Sequence, residues 1–359
     1  MSLERPVDVV GVGADGWDGL PDRLRRLVLD ADVLLGGARH LAMIPGASTG
    51  SAAAAGSLST APEKNPTTVP EPVEGSPRPT RLPWPSPLRE KLPALLDSLP
   101  ADAAVVVLAS GDPLVSGIGT TLIGMLGAER VRIHPAASSV ALARAELRWS
   151  AESCAVVSVV GRDVSLINRE LAPGRRVIVL SSDEHTPAQI AELLVAAGYG
   201  ASILHVLGNL GAPDQTHRTG RAAGWQGDSP RLNIVGLELD GPLRAGWTAG
   251  APDNLFAPLT PLPRDERAVI LARLAPVPGE HLWTDDASVA IEWLRCHPSC
   301  TATCLTAEPD DAMAAARNLG VPGLVCVAPE AGHTTLTRPD AVFWAHGASH
   351  IPATARTVG

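Results

Sequence analysis

The sequence has 359 residues, of which 45% are hydrophobic and 19% are charged, and its formal net charge is −9. The length favours two domains rather than one, and the apolar content excludes global disorder. The acidic balance argues against a general nucleic-acid or anionic-membrane binder, so a polyanionic ligand would need locally clustered arginines.

The compartment follows from the N-terminus and the cysteines. The first six residues lack the apolar run of a signal peptide, and no window approaches the roughly 18 uninterrupted apolar residues of a transmembrane helix. Five cysteines, an odd number, are scattered along a long chain, which argues against a disulfide framework. We therefore expect a reduced, cytoplasmic protein.

Apolar runs alternate with helical patterns over the first 240 residues, which predicts an α/β architecture. The run at 103–109 is apolar throughout, as is typical of a parallel strand buried on both faces. Strands are predicted at 7–12, 32–36, 103–109, 131–133, 155–159, 177–180, 202–206 and 232–239, and helices from residue 21 and at 87–99, 120–126, 140–147 and 186–197.

One segment interrupts this alternation. Residues 45–83 are dominated by Ser, Ala, Thr and Pro and contain no apolar periodicity. Such a segment cannot bury enough apolar surface to offset its ordering entropy, so we predict a disordered surface insertion there.

The C-terminal third reads as a separate unit after a Gly- and Pro-rich joint. We predict a domain at 1–240 with an internal boundary near 128–135, a linker at 241–263 and a further α/β domain at 264–359. Its predicted helices are 264–274, 289–296 and 311–318, and its predicted strands are 281–284, 301–305, 323–327 and 341–344.

The first glycine turn, residues 11–16, fits the pattern G-x-G-x-x-G after a strand. A dinucleotide site needs the helix to open at these glycines and an acid at the tip of the second strand. Here residues 17–20 precede the helix, and the second strand ends in Gly36-Gly37-Ala38-Arg39. Arg39 could hold an NADP phosphate, so an NADP-dependent oxidoreductase and a turn without a ligand both stay open.

Two further loops follow predicted strands, Ser-Gly-Asp-Pro-Leu-Val-Ser-Gly-Ile-Gly at 110–119 and His-Pro-Ala-Ala-Ser-Ser at 134–139. Ligands of open parallel sheets bind outside the carboxyl ends of strands, and glycines let the backbone approach them closely. Three such loops on one sheet edge would form a cleft.

In their order and spacing, the loops at 11–16, 110–119 and 135–139 resemble the signature loops of the tetrapyrrole (corrin/porphyrin) methylase family. The stretches 138–149 and 157–162 are similar to the two-part branch of that family that acts on precorrin-6Y. The resemblance spans about residues 6–240 apart from the insertion. It implies two α/β subdomains, usually in a homodimer, with S-adenosylmethionine as methyl donor in the cleft and a precorrin-type tetrapyrrole as substrate.

The resemblance also implies a donor site. Ala14 and Ala136 replace the residues usual in the family, proline and glycine, with small side chains. The positions that match the family's donor-binding residues are Ala14, Ser110, Gly111, Asp112, Val115, Ser138, Ser139, Leu180, Leu207 and Gly208.

The substrate of such an enzyme carries several carboxylates, which arginines clamp bidentately. Arg144, Arg148 and Arg162 are our candidates, against the alternative that each is a solvated surface charge. Methyl transfer from a sulfonium needs mainly alignment, so we expect neither a catalytic triad nor a metal site.

Residues 276–283 and 289–295 resemble the branch's other half, a Rossmann-like methyltransferase in which carbon-15 methylation and decarboxylation take place. The glycine-rich turn of that half is replaced by Thr284-Asp285-Asp286-Ala287-Ser288, and the chain ends after about four strands. We therefore expect a degenerate, truncated and inactive half, so that a separate protein supplies the second methylation. Glu308 is a weak candidate for holding ribose hydroxyls.

Two other patterns, one of cysteines and one of histidines, have spacings that could suggest a metal site. The spacing of Cys296, Cys300 and Cys304 fits neither common zinc nor cluster patterns, and Pro298 interrupts the helix, so buried cysteines are the better interpretation. His346 and His350 lie beside Gly347 near the C-terminus, where disorder is favoured.

Overall fold

The computed structural model describes residues 3–45, 79–329, 337–345 and 355–358. The chain divides into two compact units: residues 1–142 with 209–215, and residues 143–208 with 216–359. No helix in these described ranges is long and apolar enough to cross a bilayer.

The first unit contains a five-stranded parallel sheet with the order β3-β2-β4-β1-β5. Its two faces bury separate cores, Val9 and Val107 on one face and Val10 and Leu108 on the other, because successive side chains of a strand point to opposite faces. The strands are β1 (Val7–Val12), β2 (Val33–Gly36), β3 (Thr80–Pro83), β4 (Val105–Ser110) and β5 (Val131–His134), and the helices are α1 (Asp22–Leu29), α2 (Ala38–Met43), α3 (Leu88–Asp97), α4 (Ile118–Leu126) and α5 (Ser139–Leu147), which leads into the second unit.

The insertion predicted at 45–83 needs a correction at its end. Residues 46–78 lie outside the described residues, but 80–83 form β3, which pairs with β2 at the sheet edge. Leu82 packs against the core, whereas Thr80 and Pro83 are exposed. An edge strand needs few apolar residues and tolerates proline, so pattern alone did not reveal it.

The second unit contains two sheets, of which the one nearer in sequence is mixed, with the order β6-β7-β10-β8-β9. Strand β9 was not predicted, because most of its side chains are exposed and polar. The elements are β6 (Cys154–Ser158), β7 (Arg176–Leu180), α6 (Thr186–Ala196), β8 (Ile203–Gly208), β9 (Thr216–Arg221) and β10 (Asn233–Glu238).

The third sheet is parallel throughout, with the order β13-β12-β11-β14-β15, which is the 3-2-1-4-5 order of a Rossmann-like fold. The α/β fold class predicted for the chain is confirmed. The prediction of about four strands here was wrong, because the short strand β15 adds a fifth. The elements are α7 (Arg264–Leu274), β11 (His281–Thr284), α8 (Ala287–Cys296), β12 (Thr301–Leu305), α9 (Pro309–Asn318), β13 (Val325–Val327), β14 (Ala341–Phe343) and β15 (Arg356–Val358).

Residues 241–263, predicted as a linker, pack into the core of the third sheet's domain through Ala251 and Phe256. The buried guanidinium of Arg267 bonds Glu292 at 2.9 Å, and the Glu292 carboxylate also accepts from the Gly250 and Ala251 amides. This satisfied ion pair holds the segment in place, a tertiary contact that composition cannot reveal. The domain boundaries given above stay predictions.

The second and third sheets contact each other through Arg169. Its guanidinium donates to the carbonyls of Leu294 and Arg295 at 3.2 and 2.7 Å, at the C-terminal end of α8. Burial lowers the pKa of Arg169. A Cβ on Gly320 would overlap the Arg169 backbone, so the approach is close. The two sheets therefore form one packed body in this unit.

Candidate functional site

The three loops of interest leave one edge of the first sheet. Strand β1 lies between β4 and β5 and runs parallel to both, with Val12 opposite Ser110 and Val10 opposite His134. The carboxyl ends of parallel strands meet at the same edge, so the loops after these strands emerge side by side. The predicted convergence of the three loops within this unit is confirmed.

The loops contact one another through backbone atoms. The Gly111 amide donates to the Val12 carbonyl at 2.9 Å, and the Ala136 amide donates to the Gly111 carbonyl at 3.3 Å. A Cβ on Gly11 would overlap the Gly111 carbonyl oxygen and lie 2.7 Å from the Ala136 nitrogen. Gly111 itself has φ +54°. Glycine is therefore required at both positions, because a side chain at either one would force the loop backbones apart.

A histidine that the sequence analysis missed supports this edge. His40 lies on α2, and its Nε2 is 3.2 Å from the Ser110 Oγ. Burial, and secondarily the nearby Arg39, lowers the pKa of His40 to about 4. The imidazole is thus neutral near pH 7 and fixes the Ser110 hydroxyl. Helix α2 was not predicted, because its six residues are too few to show a helical period.

In the second loop, Asp112 shapes the turn. Its Oδ1 accepts from the Leu114 amide at 2.9 Å, and its carbonyl accepts from the Val115 amide at 3.1 Å. Val115 is 36% exposed. These two hydrogen bonds fix the conformation of the second loop at the carboxyl ends of the strands.

The third loop leads directly into α5. The Ser138 Oγ accepts from the Ala141 amide at 3.1 Å and so caps the helix, which begins at Ser139. The first loop is contacted by the segment 209–215: a Cβ on Gly211 would lie 3.9 Å from the Ala14 Cβ and 3.5 Å from the Leu142 Cδ1. The first unit thus assembles seven of the predicted positions: Ala14, Ser110, Gly111, Asp112, Val115, Ser138 and Ser139.

The other three predicted positions belong to the second unit and lie together on its mixed sheet. Leu180 and Leu207 flank Ile234 in register, and Gly208 follows on β8. A Cβ on Gly208 would lie 2.5 Å from both Pro230 and Thr216, so glycine is required there.

The same edge carries buried polar atoms that have no hydrogen-bond partner among the described residues: Ser158 Oγ, Ser181 Oγ and Asn233 Oδ1. A buried polar group without a partner costs about 1–3 kcal/mol. These three atoms lie beside Leu180 and Gly208. No sequence signal marked these residues.

The candidate arginines differ in their surroundings. Arg144 lies on α5, and its Nε is buried without a hydrogen-bond partner among the described residues. Arg148 follows the helix with φ +57° and is exposed, as is Arg162. Arg144 therefore has an unused donor, whereas Arg148 and Arg162 have the exposure expected of solvated charges as well as of carboxylate clamps.

The corresponding turn of the third sheet is filled by its own side chains. The Asp286 Oδ1 accepts from the Val289 amide at 2.9 Å and from the Ser288 hydroxyl at 2.5 Å. The Asp286 amide donates to the Thr284 hydroxyl at 3.0 Å, and the Asp285 Oδ1 accepts from the Ala345 amide at 2.6 Å. The Val289 amide at the start of α8 and both carboxylates of the turn are thus used within the protein.

The remaining predicted residues of this domain are less informative. Glu308 precedes α9 and is exposed. Cys296, Cys300 and Cys304 are free thiols, and burial raises the pKa of Cys304. Within the described ranges, no group of three or more His, Cys, Asp or Glu side chains is placed to hold a metal ion. His346 and His350 lie outside the described residues.

Comparisons with known proteins identify the families that the two parts of the chain match. Residues 7–224 match the family of tetrapyrrole (corrin/porphyrin) methylases, and residues 259–357 match a family described as the precorrin methyltransferase domain. The chain is 36% identical over 354 residues to a precorrin-6Y C(5,15)-methyltransferase (decarboxylating) of Sinorhizobium sp, covering 95% of this chain and 78% of that relative.

Two further proteins are similar to the N-terminal part of the chain. The chain is 32% identical over 204 residues to a cobalt-precorrin-7 C(5)-methyltransferase of Salmonella typhimurium, covering 56% of this chain and 84% of that relative. The crystal structure of a cobalamin-biosynthesis precorrin-6Y methylase from Archaeoglobus fulgidus is 20% identical with a TM-score of 0.45, covering 66% of this chain and 98% of that one.

Proposed function

The chain belongs to the tetrapyrrole (corrin/porphyrin) methylase family and is a methyltransferase, and from this premise we propose that it uses S-adenosylmethionine to methylate carbon 5 of a precorrin-6Y-type corrin precursor. The convergence of three backbone-lined loops on one sheet edge carries the proposal. In this proposal the chain acts in cobalamin biosynthesis, in keeping with relatives that are named precorrin methyltransferases.

Each unit contributes candidate residues for donor binding. In the first unit, the loops meet by close backbone packing at Gly11 and Gly111. In the second unit, the Ser158, Ser181 and Asn233 side chains each have a buried polar atom without a hydrogen-bond partner among the described residues. The proposed donor-binding residues are Ala14, Ser110, Gly111, Asp112, Val115, Ser138, Ser139, Leu180, Leu207 and Gly208.

Binding and orientation are what the chain has to supply. When bound, S-adenosylmethionine supplies a methyl group made electrophilic by its sulfonium. Alignment of two reactants in a closed site lowers a barrier by about 7–11 kcal/mol, so no side chain has to act as nucleophile or base for this gain. Neutral His40 contributes by holding the Ser110 hydroxyl in one orientation.

The substrate is held, in this proposal, by arginines. A precorrin bears acetate and propionate carboxylates, and a guanidinium binds a carboxylate through two parallel hydrogen bonds. The Arg144 Nε has no hydrogen-bond partner among the described residues, which makes Arg144 the strongest of the three candidates. Arg148 and Arg162 are the other two. Their replacement should raise the KM for the corrin substrate and leave donor affinity unchanged.

For the third sheet, we propose that it does not carry out carbon-15 methylation or decarboxylation. A donor at the turn after β11 would have to displace the carboxylates of Asp285 and Asp286, which already accept from the Ala345 and Val289 amides. A separate protein would then supply the second activity. We also propose that the chain works as a cytoplasmic homodimer, which light scattering of the purified protein and cell fractionation would test.

Mass spectrometry of the products tests the division between the two halves. Purified protein is incubated with S-adenosylmethionine and a precorrin-6Y-type substrate, with and without cobalt, and in parallel with the precorrin-7-type ring that is already decarboxylated. One added methyl group without loss of carbon dioxide is the expected result. Two methyl groups with decarboxylation would refute the inactive third sheet.

Binding measurements separate the proposal from its two rivals. S-adenosylhomocysteine should quench tryptophan fluorescence in a saturable manner, and NADPH should not. Quenching by NADPH alone would favour the oxidoreductase suggested by residues 11–16. Absence of any affinity for S-adenosylhomocysteine would favour a non-catalytic pathway scaffold.

A further inference from the structure

The mixed sheet of the second unit carries two histidines on one face, the same face that carries Leu180 and Leu207, and Leu207 lies directly opposite His217. His205 on β8 lies opposite Thr219 on β9. His217 stands two residues before Thr219 on the same strand, so their side chains share a face. His205 Nδ1 and His217 Nε2 are 3.2 Å apart.

Together with Thr219 these histidines form a nearly equilateral triangle of ligand atoms. The Thr219 Oγ1 lies 3.2 Å from His205 Nδ1 and 3.4 Å from His217 Nε2. Ligand atoms placed about 2.0–2.1 Å from a tetrahedral zinc ion are separated by roughly 3.3–3.4 Å. The triangle thus has the dimensions of one face of such a coordination shell.

The outer nitrogens of the two imidazoles show which atoms carry hydrogen. His205 Nε2 lies 3.0 Å from the Glu238 Oε1, and His217 Nδ1 lies 3.2 Å from the Glu146 Oε1. A carboxylate only accepts hydrogen bonds, so each outer nitrogen is a donor. When both imidazoles are neutral, the inner nitrogens both carry lone pairs, an arrangement that a metal ion bound by both nitrogens stabilises.

The site is held in place by its neighbours. The Trp149 ring packs edge-on against His205 at 6.0 Å between centroids. Gly236 lies opposite His205, and a Cβ there would lie 2.5 Å from Leu147 Cδ1. The Glu238 Oε2 lies 3.7 Å from the Arg176 guanidinium, which fixes that carboxylate in turn. The side chain of His217 is 32% exposed, so an ion can reach the site from solvent.

We propose that His205, His217 and Thr219 bind a divalent transition-metal ion of the zinc type, with Glu238 and Glu146 orienting the imidazoles. Imidazole suits Zn²⁺, Cu²⁺ and Ni²⁺, and carboxylates behind metal-bound histidines are the usual supporting groups. Two nitrogens and a hydroxyl are fewer ligands than a structural zinc site has, so the ion keeps solvent positions and exchanges readily. When bound, it ties β9 to β8.

Metal titration of the full-length protein tests this site. Metal-free protein is titrated with Co²⁺ alone, followed by its visible absorption, and with Zn²⁺ alone by calorimetry. One equivalent should bind, His217→Ala should abolish binding, and Glu238→Gln should weaken it by about 10–100-fold. His297→Ala removes another exposed histidine and should bind as the wild type does.

Three outcomes would overturn the proposal. No stoichiometric binding to the wild type would show that His205 and His217 form a hydrogen-bonded pair and not a metal site. Binding that survives His217→Ala with thiolate-to-metal absorption would assign the ion to cysteines. Equal affinity in Glu238→Gln would remove the orienting role. Circular dichroism checks that His217→Ala is folded, and should it not be, Thr219→Val removes one ligand at constant shape and should also weaken Co²⁺ binding.

Discussion

Two strand-to-helix turns of this chain stand at equivalent places in parallel sheets and differ in what they leave free. At the edge formed by Gly11 and Gly111, the absence of side chains lets the backbones of neighbouring loops pack directly against each other, and the Gly111 amide donates to the Val12 carbonyl. At the turn after β11, Asp286 and Ser288 use the amides and hydroxyls for bonds within the protein.

The difference shows that topology does not by itself make a ligand site. Both sheets are parallel, and each offers a crevice at the carboxyl ends of its strands. At the first edge, glycines let the loop backbones meet directly, whereas at the turn after β11 the carboxylates of Asp285 and Asp286 occupy the loop. The two turns therefore predict opposite responses to mutation.

The largest effect is expected from Gly11→Ala. The added methyl group would overlap the Gly111 carbonyl and force two backbone segments apart, so affinity for S-adenosylhomocysteine should fall by more than about 100-fold. Gly124→Ala is the matched control, because a Cβ on Gly124 meets nothing within 4 Å in α4. Isothermal titration calorimetry measures both variants, and equal affinities would place the donor elsewhere.

A smaller loss, roughly tenfold, is expected from Asp112→Ala. The substitution removes the acceptor of the Leu114 amide and loosens the second loop, at a cost of about 1–1.5 kcal/mol. Asp112→Asn keeps an acceptor and should retain most of the affinity. Glu308→Ala in the third sheet should bind S-adenosylhomocysteine as the wild type does. Equal losses in Asp112→Ala and Glu308→Ala would remove the contrast between the two edges.

Asp286→Ala should affect stability and leave donor binding unchanged. Loss of the cap at the start of α8 destabilises the helix by about 1 kcal/mol. Asp310→Ala, in the first turn of α9, is exposed and should change stability by less than about 0.5 kcal/mol. Thermal unfolding measures the stability, and isothermal titration calorimetry measures donor binding. A lower donor stoichiometry in Asp286→Ala would reveal a working donor site in the third sheet.

The smallest expected effect is the pH dependence of donor affinity that arises from His40. Since its folded pKa of about 4 lies below the usual 6.5, the folded state binds fewer protons, and His40's contribution to stability is present above pH 6.5 and lost as the pH falls through 4. Between pH 8 and pH 6.5 donor affinity should vary less than about threefold on its account. An NMR titration of the His40 ring should give a midpoint near 4, and a midpoint near 6.5 would contradict its burial beside Ser110.

Much of the fold could be predicted from pattern. Buried strands such as β1 and β4 are continuous apolar runs, and the helices between them show their own period, so the α/β class followed directly. Strands β3 and β9 could not be predicted, because edge strands draw their stability from one neighbour and carry mostly exposed or polar residues. Residues 241–263 looked like a linker because their packing depends on distant Arg267 and Glu292.

The residues of the candidate site also fall into two groups, those that the sequence marks and those that only the fold brings together. The loop residues Ser110, Gly111 and Asp112 were identifiable because glycine turns after strands are local features. His40 was not, since only the fold brings it 3.2 Å from Ser110 across 70 residues. The dihistidine pair was also hidden, because His205 and His217 meet only through the antiparallel pairing of β8 and β9.

The sequence by itself determined the α/β class, the three glycine-bearing or serine-bearing loops and the loss of glycine from the turn after β11, because these depend on residue type and local periodicity. The tertiary structure decided which loops share an edge, which buried atoms lack a partner and where Asp286 and His40 direct their hydrogen bonds. Those features depend on register between strands that are distant in the chain, and register is set by packing of the whole sheet.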